Sequence, residues 1–218
     1  MAKNTAPVAR NDAVSTSEDA SLVIAASRLL GNDTDANGDK LRISSVGAGV
    51  NCSASIDCNG NVVITPAANF SGTATFSYTI TDGRGGYSTA TVSLNVAAVA
   101  DAATLNVSNA TGNEDSAISL CIGAALKDTD GSESLRVIIG GVPAGASLNA
   151  GIRNTDGTWT LTSSQLSGLK ITPRANSDAD FTLTVKAITT ETSNGNTAEV
   201  VQNLRVTVNA VADVPALV

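Results

Sequence analysis

The segment Asp33-Thr34-Asp35-Ala36-Asn37-Gly38-Asp39 places four oxygen-bearing side chains in alternation, with a glycine where the chain must bend sharply. Asp33, Asp35, Asn37 and Asp39 can then turn toward one point. That pattern suits a hard cation, since calcium collects roughly six to eight oxygen ligands. It matches the opening of an EF-hand loop, yet Ser44 stands where the closing bidentate glutamate belongs. A glycine-aspartate nonapeptide roll is excluded as well, because Gly83-Arg84-Gly85-Gly86 occurs once, without repetition. A loop that supplies only part of a coordination shell must borrow the rest, and in a β-sandwich loops from distant strands meet at one end. Asp12 of the incoming segment and Asp82 before the last strand are therefore expected to join Asp33, Asp35 and Asp39. By the same logic Asp128, Asp130 and Glu133 are expected beside Asp101 and Glu18, in a site shared between domains.

Other chemistries find little support. The 218 residues include no histidine, which removes the commonest general base and the commonest transition-metal ligand. Serines are plentiful but lack a triad base, and no carboxylate pair stands apart from the calcium loops, so an enzyme is not expected. The net charge is -7, and the 13 Lys and Arg residues are scattered rather than gathered in a stripe, which argues against nucleic acid. No apolar run approaches the roughly 20 residues of a membrane span. Met1-Ala2-Lys3-Asn4 lacks the apolar stretch of a signal peptide, and the chain reads as a piece of a longer one. Cys52 and Cys58 flank a short segment, so a bridge between them and free thiols are both open readings. Cys121 alternates with Ile118, Leu120 and Ile122 and is expected to point away from their core face. Trp159 offers a stacking surface for a sugar, although a lone tryptophan on a strand more often covers a core.

The elements that must position these carboxylates are strands. Aromatics make up 3% and charged residues 15% of the chain, and Thr, Ser, Val, Ala, Asn and Gly dominate, favouring short strands and tight turns. The chain also repeats itself. Ser17-Glu18-Asp19-Ala20 recurs as Asn113-Glu114-Asp115-Ser116, Asp33-Thr34-Asp35 as Asp128-Thr129-Asp130, and Ile64-Thr65-Pro66 with Asn69 as Ile171-Thr172-Pro173 with Asn176. Each copy then closes with alternating strands and a Val-Ala-Asp tripeptide ending at Asp101 or Asp213. The distance between matched pieces widens along the chain, as insertions in the second copy require. These features predict an all-β protein of two tandem Greek-key β-sandwich domains of Ig-like type, residues 1–100 and 101–218. The junction has no Gly, Pro or Ser-rich spacer and should be short and semi-stiff.

The stretches ITPAANFSGTATFSYTITDGRGGYSTATVSLNV, GNEDSAISL, DTDGSESL, GVPAGASL and DGTWTLTSSQLSGLKITP resemble the cadherin-like tandem repeats of giant bacterial RTX adhesins, over nearly the whole chain. The resemblance implies secreted extender modules at a bacterial cell surface, stiffened by Ca2+ at domain boundaries and serving adhesion and biofilm formation. Their partners would be neighbouring repeats of the same chain, not nucleic acid, a bilayer or a small-molecule substrate, and the module would be monomeric. It gives Asp101 the linker-ligand role, Asp128 and Asp130 the paired carboxylates of the following domain, and Glu18 the acid at the base of the preceding one. Asp12, Asp33, Asp35 and Asp82 would repeat this at the first end, with Glu114 and Asp213 at the last. The second copy departs in having Thr189-Thr190-Glu191 where the first has Thr81-Asp82-Gly83. A rival reading, a module that binds glycan or peptide, would use the loops Cys52 to Cys58 and Asn149 to Trp159.

Overall fold

The computed structural model describes residues 3–212, so Asp213 lies outside the described residues. Strands take 51% of the chain and helix 5%, as the β-branched, alternating sequence requires. Two compact units divide between Val99 and Ala100.

The first domain has seven strands: β1 (Asp12–Ser17), β2 (Leu22–Ile24), β3 (Arg42–Val46), β4 (Cys52–Ile56), β5 (Val62–Pro66), β6 (Gly72–Thr81) and β7 (Tyr87–Ala97). A short helix, α1 (Ala26–Leu29), follows β2. The strands form two sheets, ordered β1-β7-β6-β3 and β2-β5-β4, so the chain crosses between sheets after β1, β2, β3 and β5 in a Greek key. Among the described residues of this domain only β1 runs parallel to its neighbour, pairing with β7. Strict alternation sends Ala74, Phe76, Tyr78 and Ile80 of β6 and Ala90, Val92, Leu94 and Val96 of β7 inward. They pack against Ile24, Val62 and Ile64 of the opposite sheet.

The second domain follows the same plan with β8 (Thr104–Ser108), β9 (Ala110–Asn113), β10 (Ile118–Ser119), β11 (Cys121–Ala125), β12 (Glu133–Gly140), β13 (Ser147–Leu148), β14 (Ile152–Arg153), β15 (Trp159–Thr162), β16 (Lys170–Thr172), β17 (Phe181–Glu191) and β18 (Thr197–Asn209). Its large sheet is ordered β14-β15-β12-β17-β18-β9, with β9 parallel to β18 as β1 is to β7. The hairpin β14-β15, inserted between β13 and β16, widens the repeat spacing between Asp128 and Ile171. Trp159 sits on this hairpin half-buried and packs against the core, so it serves as cover and not as an open stacking platform.

Of the two open readings for Cys52 and Cys58, the unbridged one holds. Cys52 begins β4 and Cys58 lies beyond its end, and an extended strand carries them apart at roughly 3.3 Å per residue. Both are free thiols, as is the outward-facing Cys121.

The repeated Glu-Asp pairs do the same work in both copies. Asp19 and Asp115 adopt left-handed φ values of 55° and 56°, as do Asn69 and Asn176 at 55° and 52°. The Asp19 carboxylate accepts the Asn69 backbone N–H at 3.1 Å, and Asp115 accepts that of Asn176 at 2.9 Å. Glu18 and Glu114 accept backbone N–H groups of the departing chain, from Val99 and Val211. The pair therefore latches each first strand to the loop before the sixth and to the chain's way out. Asp115→Ala loses the hydrogen bond and strains a left-handed residue, and is expected to destabilise the second domain by about 1–2 kcal/mol. Asp115→Gly, free of that strain, should cost less; urea unfolding of both variants checks the order.

Candidate metal centres

At the first end of the first domain the carboxylates fall into two groups. Asp12 and Asp33 face each other across Tyr78, whose buried hydroxyl lies 2.9 Å from Asp12 Oδ2 and 3.1 Å from both Asp33 oxygens. Asp33 also accepts the Arg10 N–H at 2.8 Å, and Asn32 donates to Asp12 at 3.1 Å. Burial, first of all, pushes the Asp12 carboxyl above the usual carboxylate range, and Asp33 adds to it. Tyr78 is pushed far up by burial and by the two acids around it, so it stays a hydrogen-bond donor.

The second group contains Asp35, Asp39 and Asp82. Asp35 Oδ1 accepts the N–H groups of Asn37 at 2.8 Å and Asp39 at 3.1 Å, closing the bend that Gly38 permits with φ 76°. Asn37 turns its amide oxygen to the Thr5 N–H instead of inward. Asp39 Oδ1 meets Arg84 at 2.9 Å. Asp82, buried just after β6, accepts the N–H groups of Arg84 at 2.7 Å and Gly86 at 2.9 Å and the Asn4 amide at 2.8 Å. Those donors, the Arg84 N–H foremost, hold its carboxyl below the usual range. Gly86 is required there, because any Cβ would collide with the Asp82 carboxylate.

The corresponding end of the second domain is denser. Asp128, Glu133 and Glu191 are buried beside half-buried Asp101. Oxygens of Asp128 and Glu191 lie within 4.8 Å of each other, and Glu133 stands directly opposite Glu191 in the β12-β17 ladder. Glu133 Oε1 accepts the Asp101 N–H at 2.6 Å, Asp128 accepts that of Asp130 at 2.8 Å, and Ser132 donates to Glu191 at 3.0 Å. Exposed Asp130 turns its carboxylate to the Ser132 N–H at 2.7 Å. Burial raises the Glu133 carboxyl above the usual glutamate range; the Asp101 hydrogen bond opposes this, while the charges of Glu191, Asp128 and Asp101 reinforce it.

Residues 3–97 match the family model of the cadherin-like domain. That match takes in nearly the whole of the first domain. No curated protein matches the chain. Among solved structures it is similar to protocadherin gamma B2 extracellular cadherin domains 3–6, at 12% identity and TM-score 0.44 over 90% of this chain and 46% of that one. It is similar to mouse cadherin-23 EC22–24 at 14% identity and TM-score 0.41, over 94% of this chain and 65% of the other. An endo-fucoidan hydrolase of glycoside hydrolase family 107 is also similar, at 16% identity and TM-score 0.35, over 95% of this chain and 29% of that one. The chain thus spans under two thirds of each of these three structures.

In the first domain and in its repeat, the donor set fits a calcium ion. Every candidate is a hard oxygen, and each end holds buried carboxylate oxygens without a hydrogen-bond partner: Asp35 Oδ2 and Asp39 Oδ2 in the first domain, Glu133 Oε2 and Glu191 Oε2 in the second. A buried anionic oxygen left without a donor is costly, and a bound cation removes that cost. Glu191 is the member that sequence comparison missed. Arg42 faces Thr81 across β3 and β6, while its repeat counterpart Arg136 faces Ile188 across β12 and β17. Thr189 therefore takes the register of Asp82, and Glu191 comes from two further residues of strand. The hydrophobic alternation that could have revealed this extension breaks at Ile188-Thr189-Thr190.

Proposed function

We propose that the chain is a calcium-stabilised extender module of a secreted, adhesion-type surface protein, non-enzymatic, with carboxylates at domain ends binding the ion. The observation that carries this is the buried trio Asp128, Glu133 and Glu191 beside half-buried Asp101, in which two glutamates face each other across a ladder. Like charges so placed oppose folding unless a cation or proton joins them. In this reading Asp12, Asp33, Asp35, Asp39 and Asp82 serve the first end, and Glu18 and Glu114 join through the oxygens turned to the departing chain. Extracellular calcium modules bind at about 0.1–1 mM, so the sites fill outside cells and stay empty in cytosol. The internal repeat and the sequence resemblance support a place in a long bacterial adhesin, with neighbouring repeats as partners. Among the described residues no helix is long and apolar enough to cross a membrane.

Calcium that stiffens the chain should lengthen it. Small-angle scattering of the monomer is expected to show a larger maximum dimension in millimolar calcium than in chelator. Equal dimensions in the two buffers would remove the stiffening part of the reading.

A further inference from the structure

The two copies differ sharply at one corner, in the loop between the fifth and sixth strands of the plan. With Pro66 aligned on Pro173, Ala67 becomes Arg174, Phe70 becomes Ser177 and Thr73 becomes Asp180. In the first domain Phe70 packs half-buried against the core and plugs this corner. In the second domain the plug is gone, and a cleft of about 280 Å³ remains, walled by Pro143, Pro173, Arg174, Ser177, Asp180 and Phe181.

The cleft is preformed. The Asp115 latch holds the Asn176 N–H at 2.9 Å, and Asp180 is fixed by the Val208 N–H at 2.9 Å and the Arg205 guanidinium at 3.0 Å. Those partners, the Val208 N–H foremost, hold the Asp180 carboxyl below the usual aspartate range, so it is an acceptor at neutral pH. Gly145, at φ 88°, lets the Arg174 side chain lie across its backbone, since a Cβ there would press on the arginine stem at 3.1–3.4 Å. Exposed Arg174 presents a guanidinium, whose planar fork matches a carboxylate. Phe181 and the two prolines supply flat apolar walls of the kind that pack on sugar C–H faces. Because Arg205 already offsets the charge of Asp180, its free lone pairs favour neutral hydroxyl donors over an ammonium group. The volume is at the small end for ligand pockets and accommodates about one pyranose ring.

We infer that this cleft binds a hexuronate unit of an acidic polysaccharide, with the carboxylate on Arg174, hydroxyls on Asp180 and Ser177, and one ring face on Phe181. This goes beyond the extender reading and gives the second copy a recognition role that the first lacks.

The test is a two-dimensional NMR titration of the full chain in calcium with D-glucuronate, a short oligogalacturonate, D-glucose and glycine. Both uronates are expected to shift amides between Arg174 and Phe181, with glucose much weaker and glycine inert. Arg174→Gln should weaken uronate binding about tenfold or more. Ser177→Phe, which restores the first copy's plug, should abolish it, and unchanged urea midpoints in both variants exclude misfolding as the cause. Uronates that leave these amides unmoved, shifts that survive both substitutions, or glycine binding in place of uronate would each overturn the inference.

Discussion

Adding calcium to chelator-treated protein is expected to raise its melting temperature by about 10 °C or more. A site with a dissociation constant of about 0.1 mM, held at 10 mM calcium, gains about 2.7 kcal/mol. For a domain of about 100 residues each kcal/mol corresponds to roughly 4 °C or more. The second domain should respond most, because its acids are the more deeply buried: Asp128, Glu133 and Glu191 are 3%, 8% and 0% exposed. In the first domain, backbone N–H groups, Asn4 and Arg84 already satisfy part of Asp35, Asp39 and Asp82, so less is left for calcium to relieve. Differential scanning calorimetry with calcium, magnesium and chelator checks both statements. A calcium thermogram superimposable on the chelator one would overturn the metal assignment. An equal shift with magnesium would argue for general screening of acidic surface, since magnesium demands a tighter octahedral shell.

How far the sequence reveals this molecule depends on which physical signal each part leaves. The sandwich is legible because alternation along strands such as Thr75 to Ile80 is enforced by burial on one side only, and because the whole plan occurs twice. The acidic ends are legible as clusters, since Asp33, Asp35 and Asp39 stand within one bend. Which oxygens converge is another matter. Asn37 reads as a ligand by spacing, yet its amide oxygen is taken by the Thr5 N–H, a contact 32 residues distant. Asp12 and Asp33 are set apart by Tyr78, an inward residue of β6 that reads only as core. Glu191 is hidden because strand length, and not residue type, brings it opposite Glu133. Asp19 and Asp115 show in the sequence only as matched members of a repeat, and their role depends on left-handed backbone at four positions, which no periodicity encodes. Local chemistry is thus visible in the chain, whereas the partner that consumes each oxygen is fixed by tertiary register.

Glu191→Gln is expected to act with opposite signs in the two buffers. Without calcium, Glu133 and Glu191 oppose each other directly in the ladder, and Glu133 is held above the ordinary glutamate range by burial and by its acidic neighbours. Between the ordinary value and the raised one, folded Glu133 keeps a proton that the unfolded chain has released, so stability falls as pH rises through that window. The carboxyls held low, Asp82 and Asp180 among them, lose their contribution only below the ordinary aspartate range, and so do not mask the effect. The calcium-free second domain should therefore be more stable at about pH 5 than at pH 8. Glu191→Gln removes one of the facing charges and can donate an N–H to Glu133 Oε2, an oxygen without a partner. In chelator at pH 8 the variant should gain about 0.5–1 kcal/mol and flatten the pH profile. In calcium it should lose at least half of the wild-type shift, since a neutral amide is a poorer ligand for a hard cation than a carboxylate. Urea denaturation across pH 5 to 8 with and without calcium reads all three effects. A variant destabilised equally in both buffers would show that Glu191 serves packing alone, because only a metal ligand reverses sign when the metal is withdrawn.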